Sequence, residues 1–289
     1  MLMDRMTMGL AMFKGIILAV VAILACSAQS GQTQGLAGLS AETSSVVRAC
    51  SAWFATRSSA SGPAMLARSP NAICFDGAID PAGSAALTAA LKAIPADKPV
   101  LLVVRSGGGG ISESLDVAEA IAGRDVTVMV HTLCGSGCAN CIFLPARKRI
   151  ILDDAVVAFH GGASLTLARK FEDDRAKFIA SNPGVDFDRL ARDWRTRLER
   201  DVARQDAILR TAGVDRDFFA WFDRMASEPP SGQSADCAAN AEAEAIVFSE
   251  DFLRRRGVVI AYNGGPRSAE GLQRINMKRG WGRHSCFWS

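Results

Sequence analysis

The stretch Val100-Leu101-Leu102-Val103-Val104-Arg105-Ser106-Gly107-Gly108-Gly109-Gly110 runs an unbroken apolar segment into four glycines. Bounded by Pro99 and Gly107, Val100–Val104 reads as a strand buried on both faces. Ser112–Ala122 follows as a helix, with Leu115, Ala118, Ile121 and Ala122 at helical spacing and Gly123 as its C-cap. The same alternation extends to either side. Ile73–Ile79 is a short strand, Ala85–Ile94 an Ala-rich helix, Val126–Thr132 a strand, Cys138–Leu144 a helix start and Ala155–His160 a strand. Strand and helix in turn predict an α/β chain with a largely parallel sheet and crossover helices.

Composition agrees and narrows the function classes. The chain has 289 residues, 49% of them hydrophobic and 22% charged. That excludes a disordered chain, a fibrous repeat and a polytopic membrane protein. With 33 basic against 30 acidic residues, no nucleic-acid partner is expected, and a single tyrosine argues against a base-stacking surface. Beyond His160, Phe187, Leu190, Trp194, Leu198, Val202 and Leu209 make the stripe of a long amphipathic helix over 185–211, ended by Gly213. Two uses stay open for it, covering the sheet or joining copies of the chain in a homo-oligomer. A Pro/Ser/Gly-rich insertion spans Glu228–Asn240, and a helix is expected over Ser249–Arg256.

The N-terminus reads as a targeting segment. Lys14 precedes the apolar run Gly15–Ala25, whose eleven residues reach only about 16 Å, half of a bilayer core. Small residues then follow at Ala25-Cys26-Ser27-Ala28, as at a signal-peptidase site. Cys26 offers a second reading, an acylated lipoprotein cysteine, and an uncleaved anchor a third. All three imply export to the periplasm or envelope, with membrane contact only through signal or lipid anchor. The organisation expected is thus a signal over 1–28, a linker and lead-in over 29–70, the α/β domain over 71–262 and a C-terminal tail over 263–289. In an oxidising compartment most of the seven cysteines beyond Cys26 should pair, leaving at least one over. Cys50 with Cys74 and Cys237 with Cys286 are the candidate pairs, though spacing alone does not fix connectivity.

Two glycine-rich segments carry the chemistry. The loop Ser106–Gly110 ends a strand and opens a helix. Its glycines permit positive φ and leave N–H groups free to face a ligand. The Lys-Ser/Thr of a phosphate loop is absent, as is the glycine spacing of a dinucleotide fingerprint. A cradle for a carbonyl oxygen and a plain tight turn remain. The second segment is Cys134-Gly135-Ser136-Gly137-Cys138. Ser136 follows a strand, is flanked by glycines and opens a helix, which exposes a hydroxyl at a sharp turn. A serine nucleophile needs a base, and His160 closes the apolar strand Ala155–Phe159 before Gly161-Gly162.

In order and spacing, with 27 residues from Gly109 to Ser136 and 24 from Ser136 to His160, these segments resemble the Clp-type serine peptidase group of the Clp/crotonase fold. Phe75–Asp80, Ser106–Gly109, Ser136–Ala139, Arg149, Phe159-His160 and, more weakly, Phe248–Val258 carry the resemblance, which covers about residues 73–260. It implies a spiral of ββα units with a parallel sheet and a serine hydrolase acting on peptide or protein substrates without metal or cofactor. Ser136 would attack the carbonyl and His160 take its proton. Gly109 and Gly137 would offer oxyanion N–H groups, with Gly108 turning the loop. For the orienting acid, counting from Gly213 points to Asp223, with Glu228 and Asp236 as alternatives. Gly107 stands where the family has proline.

Other readings remain. Cys134-x3-Cys138-x2-Cys141 has the spacing of an iron–sulfur motif, and Cys138-Ala-Asn-Cys141 that of a redox pair. A disulfide between Cys134 and Cys138, holding the Ser136 turn, is favoured over both. The crotonase branch uses the same cradle to hold a thioester enolate, and a non-catalytic Clp-like binding or scaffold protein of the envelope would keep the fold alone.

Overall fold

The computed structural model describes residues 39–289 apart from 59–61, 228–235, 238–242 and 283. The signal or lipidation segment with Cys26, and Glu228, therefore lie outside the described residues. The main sheet is built from β1 (Ala64–Ser69), β2 (Ala72–Asp76), β3 (Val100–Ser106), β4 (Val126–Gly135), β5 (Lys148–Ile151), β6 (Val156–Ala158) and β8 (Tyr262–Asn263). A second, two-stranded sheet pairs β7 (Ala245–Phe248) with β9 (Ser285–Trp288). Among the described residues the seven-stranded order is β1-β2-β3-β4-β5-β8, with β6 also on β4. β1 runs antiparallel to β2, and the other pairings are parallel. The chain is thus mixed α/β with a mostly parallel sheet, as the alternating pattern requires.

The apolar run at 100–104 lies at the sheet centre because both of its faces are covered. Leu102, Val103 and Val104 are fully buried, and Phe75, Val128 and Val130 flank them in the core. Helices α1 (Ala41–Ala55), α2 (Pro81–Ala93) and α3 (Ile111–Ile121) surround these strands in sequence. α2 starts at Asp80 because its side chain accepts from Gly83 N–H at 2.7 Å and Pro81 occupies the first turn. α3 buries Leu115, Ala118 and Ile121, three of the four positions expected to face inward.

The chain divides into Met1–Ser44 and Ser45–Ser289. In the first, Thr43 N–H donates to Ser40 Oγ at 3.1 Å, opening α1. In the second, α4 (Leu165–Asp173) and α5 (Arg175–Ser181) lead to α6 (Phe187–Ala212), ended by Gly213 at φ +68°. α6 turns Leu198, Ile208 and Leu209 inward, and Ile208 joins Leu115, Ala118 and Cys141. It therefore covers α3, while Leu190 of the expected stripe faces solvent. α7 (Phe218–Ser227), α8 (Glu250–Arg255) and α9 (Ala269–Arg279) follow in the chain. α8 falls where expected, capped by Ser249 Oγ, which accepts from Phe252 N–H at 3.2 Å.

β4 is three residues longer than Val126–Thr132, and the reason is a change of partner. Up to Val130 it pairs with β5, and from Leu133 to Gly135 with β6. Against β3 the register jumps from Val104↔Val130 to Ser106↔Cys134, so two extra residues bulge out of β4. His131 fills this bulge. Its Nδ1 lies 2.8 Å from Thr132 Oγ1 and its Nε2 2.9 Å from Ser51 Oγ, with the ring 4.8 Å from that of Phe54. Burial, then the Arg105 cation, lowers its pKa from 6.5 to about 4. Nearby, Asp76 accepts from Arg57 Nε at 2.7 Å and Arg105 Nε at 2.6 Å. Burial raises the Asp76 pKa, but those guanidinium hydrogen bonds outweigh it and hold the carboxyl below its ordinary range.

Arg149 is 4% exposed and donates from Nε to Phe143 O at 3.0 Å and from Nη2 to Leu144 O. It thus satisfies the carbonyl end of the π-helical segment Ala139–Phe143. Burial lowers its pKa to about 10. Replacing Arg149 with Met should cost about 2–4 kcal/mol in urea unfolding, because both carbonyls lose their donor. A second expectation concerns acid. The folded state resists protonating His131, so unfolded chains take up the proton first. This contribution is full above pH 6.5 and is lost as pH falls toward 4. Unfolding free energy measured across that window should drop by up to about 3 kcal/mol, and His131→Gln should flatten the drop.

Candidate functional site

Two backbone turns meet at the ends of β3 and β4. Gly108 has φ +95°, which a side chain rarely adopts. A Cβ there would stand 2.5 Å from Gly135 O, 2.6 Å from Gly137 N and 2.7 Å from Ser136 Cβ. Gly108 N–H donates to the buried Ser106 Oγ at 3.0 Å, and Gly108 O accepts from Ile79 N–H at 2.9 Å. These bonds leave Gly109 N–H without a described partner. Gly137 N–H likewise has none. The two residues are neighbours, since a Cβ on Gly137 would lie 3.3 Å from Gly109 N and 2.1 Å from Ser114 Oγ. Two unpaired donors therefore adjoin one another beside the Ser136 turn.

Ser136 itself has φ +52°, left-handed for a residue with a side chain. Its N–H donates to Ala158 O at 2.9 Å and its carbonyl accepts from Asn140 N–H at 2.9 Å. The helical turn thus begins directly after the strand, the exposed-hydroxyl geometry that the flanking glycines suggest. The Cys134–Cys138 disulfide spans this turn with Cα atoms 5.1 Å apart. Cys50–Cys74 and Cys237–Cys286 also form. All three expected pairs are therefore present, as suits an oxidising compartment. Among the described residues Cys141 is the cysteine left over, buried, its thiol pushed up to about 12 by burial. With Cys134 and Cys138 bonded to each other, the 134/138/141 spacing supplies neither three thiolates for a cluster nor a 138–141 redox pair.

His160 reaches the same end of the sheet. Gly135↔Ala158 is the last pair of the parallel β4–β6 ladder, so Ser136 and His160 follow the ends of adjacent strands. Phe159 anchors the strand, its ring buried and its backbone exchanging hydrogen bonds with Ile246 at 2.8 and 2.7 Å. After His160, Asn140 Nδ2 donates to Gly161 O at 2.5 Å. Gln205 Oε1 accepts from Ala163 N–H at 2.8 Å, and its Nε2 donates to Ala163 O at 3.2 Å. The imidazole is exposed and, among the described residues, bonds neither Ser136 nor a carboxylate. Asp223 lies on α7, its side chain outside the described residues. Asp236 instead accepts from Phe287 N–H at 2.7 Å, beside the Cys237–Cys286 bond.

Asn140 and Gln205 escaped the sequence reading. One sits a helical turn after Ser136 and the other on the long helix, and nothing local announces that both reach the loop after His160. Among the described residues no group of three or more His, Cys, Asp and Glu is placed to hold a metal ion. No protein-family model matches the chain, and no curated protein matches it.

The Ser136 turn is held by the disulfide as well as by glycine packing, and the two can be separated. The double variant Cys134→Ala/Cys138→Ala should lose about 2 kcal/mol in urea unfolding. It should also speed hydrogen exchange at Ser136 N–H more than at the central β3 amides. Unchanged exchange at Ser136 would assign the turn to glycine packing alone.

Proposed function

We propose that this chain is an exported serine hydrolase of Clp/crotonase type, a peptidase acting on peptide or protein substrates, with Ser136 as nucleophile and His160 as general base. The observation that carries the reading is the left-handed Ser136, beside two neighbouring amides that have no partner among the described residues, with His160 two residues past the end of the adjacent strand. Ser136 Oγ would attack a carbonyl carbon while His160 accepts its proton. The oxygen, now negative, would be held by Gly109 and Gly137 N–H, with Gly108 providing the turn that aims them. Losing one such donor typically raises a barrier by about 3–4 kcal/mol. His160 would then protonate the leaving amine, and water would release the acyl group by the same path. Asp223 is the acid proposed to orient His160. The mostly parallel sheet with its connecting helices supports the Clp/crotonase assignment without demanding it.

The three disulfides support export, and the N-terminal apolar run supports a periplasmic or envelope-anchored site, with Cys26 the residue for lipidation. Leu190 and Val185, 39% and 47% exposed, make the 185–211 region the proposed contact in a homo-oligomer. One observation favours the alternative, a catalytically inactive Clp-like scaffold: among the described residues His160 accepts and donates no hydrogen bond. Catalytic hydrogen bonds often tighten only with substrate, so the hydrolase reading is preferred.

Labelling with a fluorophosphonate probe separates the two. Wild type should label at a single site that Ser136→Ala removes, and His160→Ala should slow labelling by about 100-fold or more. Equal labelling of wild type and Ser136→Ala would end the nucleophile assignment. A folded wild type that never labels would favour the scaffold.

A further inference from the structure

If Ser136 and His160 act as proposed, with Asp223 orienting the ring, the backbone that carries the imidazole must also be held in place, since among the described residues His160 makes no side-chain hydrogen bond. Its backbone is held on both sides. Before it, Phe159 is pinned by the paired hydrogen bonds to Ile246. After it, the loop turns at Gly161 (φ +50°) and is gripped at Gly161 O by Asn140 and at both polar atoms of Ala163 by Gln205. Gly162 fits between these grips: a Cβ there would stand 2.2 Å from Gln205 Oε1 and 2.7 Å from the Phe219 ring.

Both amides are almost fully enclosed, Asn140 at 7% and Gln205 at 6% exposure. Asn140 is the more telling. Its Nδ2 spans to Gly161 O while its Oδ1 is buried without a partner. An isosteric leucine would fill the same space and leave no orphan acceptor. What asparagine adds is a donor to the carbonyl next to His160, presented from a helix that starts at Ser136. Asn140 N–H also bonds Ser136 O, so one residue is tied to both halves of the pair.

We propose that Asn140 and Gln205 are positioning residues, which set the His160 imidazole against Ser136 by clamping the loop 161–163. Neither touches the reacting atoms. Asn140 couples the loop to the nucleophile turn, and Gln205 couples it to α6. The inference rests on the hydrolase reading, and its test separates the two failures.

The measurement is the rate of fluorophosphonate labelling in Asn140→Leu and Gln205→Leu, each alone and combined with His160→Ala, with urea unfolding run in parallel. Either leucine should slow labelling by about 10- to 100-fold when His160 is present. It should also flatten the pH profile of labelling, which the His160→Ala background should lack. In the His160→Ala background the same leucine should change the rate by less than about twofold, since nothing is left to position. Equal slowing in both backgrounds, or no slowing in either, overturns the proposal. Two sites on separate elements guard against one variant failing to fold. Should wild type not label, the hydrolase reading fails by itself. The clamp is then read from the NMR signal of the His160 ring, which should broaden or shift in both leucine variants, and an unchanged signal overturns it.

Discussion

Gly108 and Ser136 approach so closely that the loop after β3 and the turn after β4 behave as one piece of backbone. A Cβ at Gly108 would lie 2.7 Å from Ser136 Cβ, so no residue but glycine fits without moving the serine. Ser136 in turn occupies a left-handed conformation that costs on the order of 1–2 kcal/mol outside glycine. That cost is offset by restraints from three directions: the glycine loop on one side, the hydrogen bond to Ala158 O on another, and the Cys134–Cys138 bond beneath. The Gly108 N–H and carbonyl are occupied by Ser106 and Ile79, while the amides of Gly109, exposed, and Gly137, buried, have no partner among the described residues.

The sheet had to be built in an unusual way to allow this. β4 carries two extra residues against β3, and beyond that bulge it exchanges β5 for β6 as its neighbour. The exchange brings the Ser136 turn beside the end of β6 and so beside His160. His131 occupies the bulge as a neutral, hydrogen-bonded ring tilted against that of Phe54, which shows how differently two histidines on neighbouring strands are used. One is half-buried and hydrogen-bonded within the bulge, and the other is exposed beyond a strand end.

The central strands were legible because a strand buried on both faces cannot alternate; Val100–Val104 and Ala155–Phe159 announce themselves as continuous apolar runs. The helices were legible where a cap or a glycine marked an end, as at Gly123, Gly213 and Ser249. β1 was hidden inside a lead-in of mixed polarity, and its role as an antiparallel edge depends on β2 lying beside it. The β7–β9 pair joins segments 40 residues apart by register, which no local pattern encodes. At the site, glycines flanking Ser136 and following His160 signalled special backbone, and that part could be read. The bonds from Asn140 and Gln205 cross 21 and 42 residues, and amide side chains carry no periodic signature. The three disulfide partners could be named as candidates, but only the fold brings their Cα atoms within 5.5 Å.

Cys134 and Cys138 are both fully enclosed, with no exposed sulfur surface. Thiol–disulfide exchange needs an attacking sulfur to reach the bond in line, so the finished molecule offers no approach. Making or breaking the bond therefore requires this turn to open, so its redox exchange runs at the pace of local opening rather than of the surrounding solution.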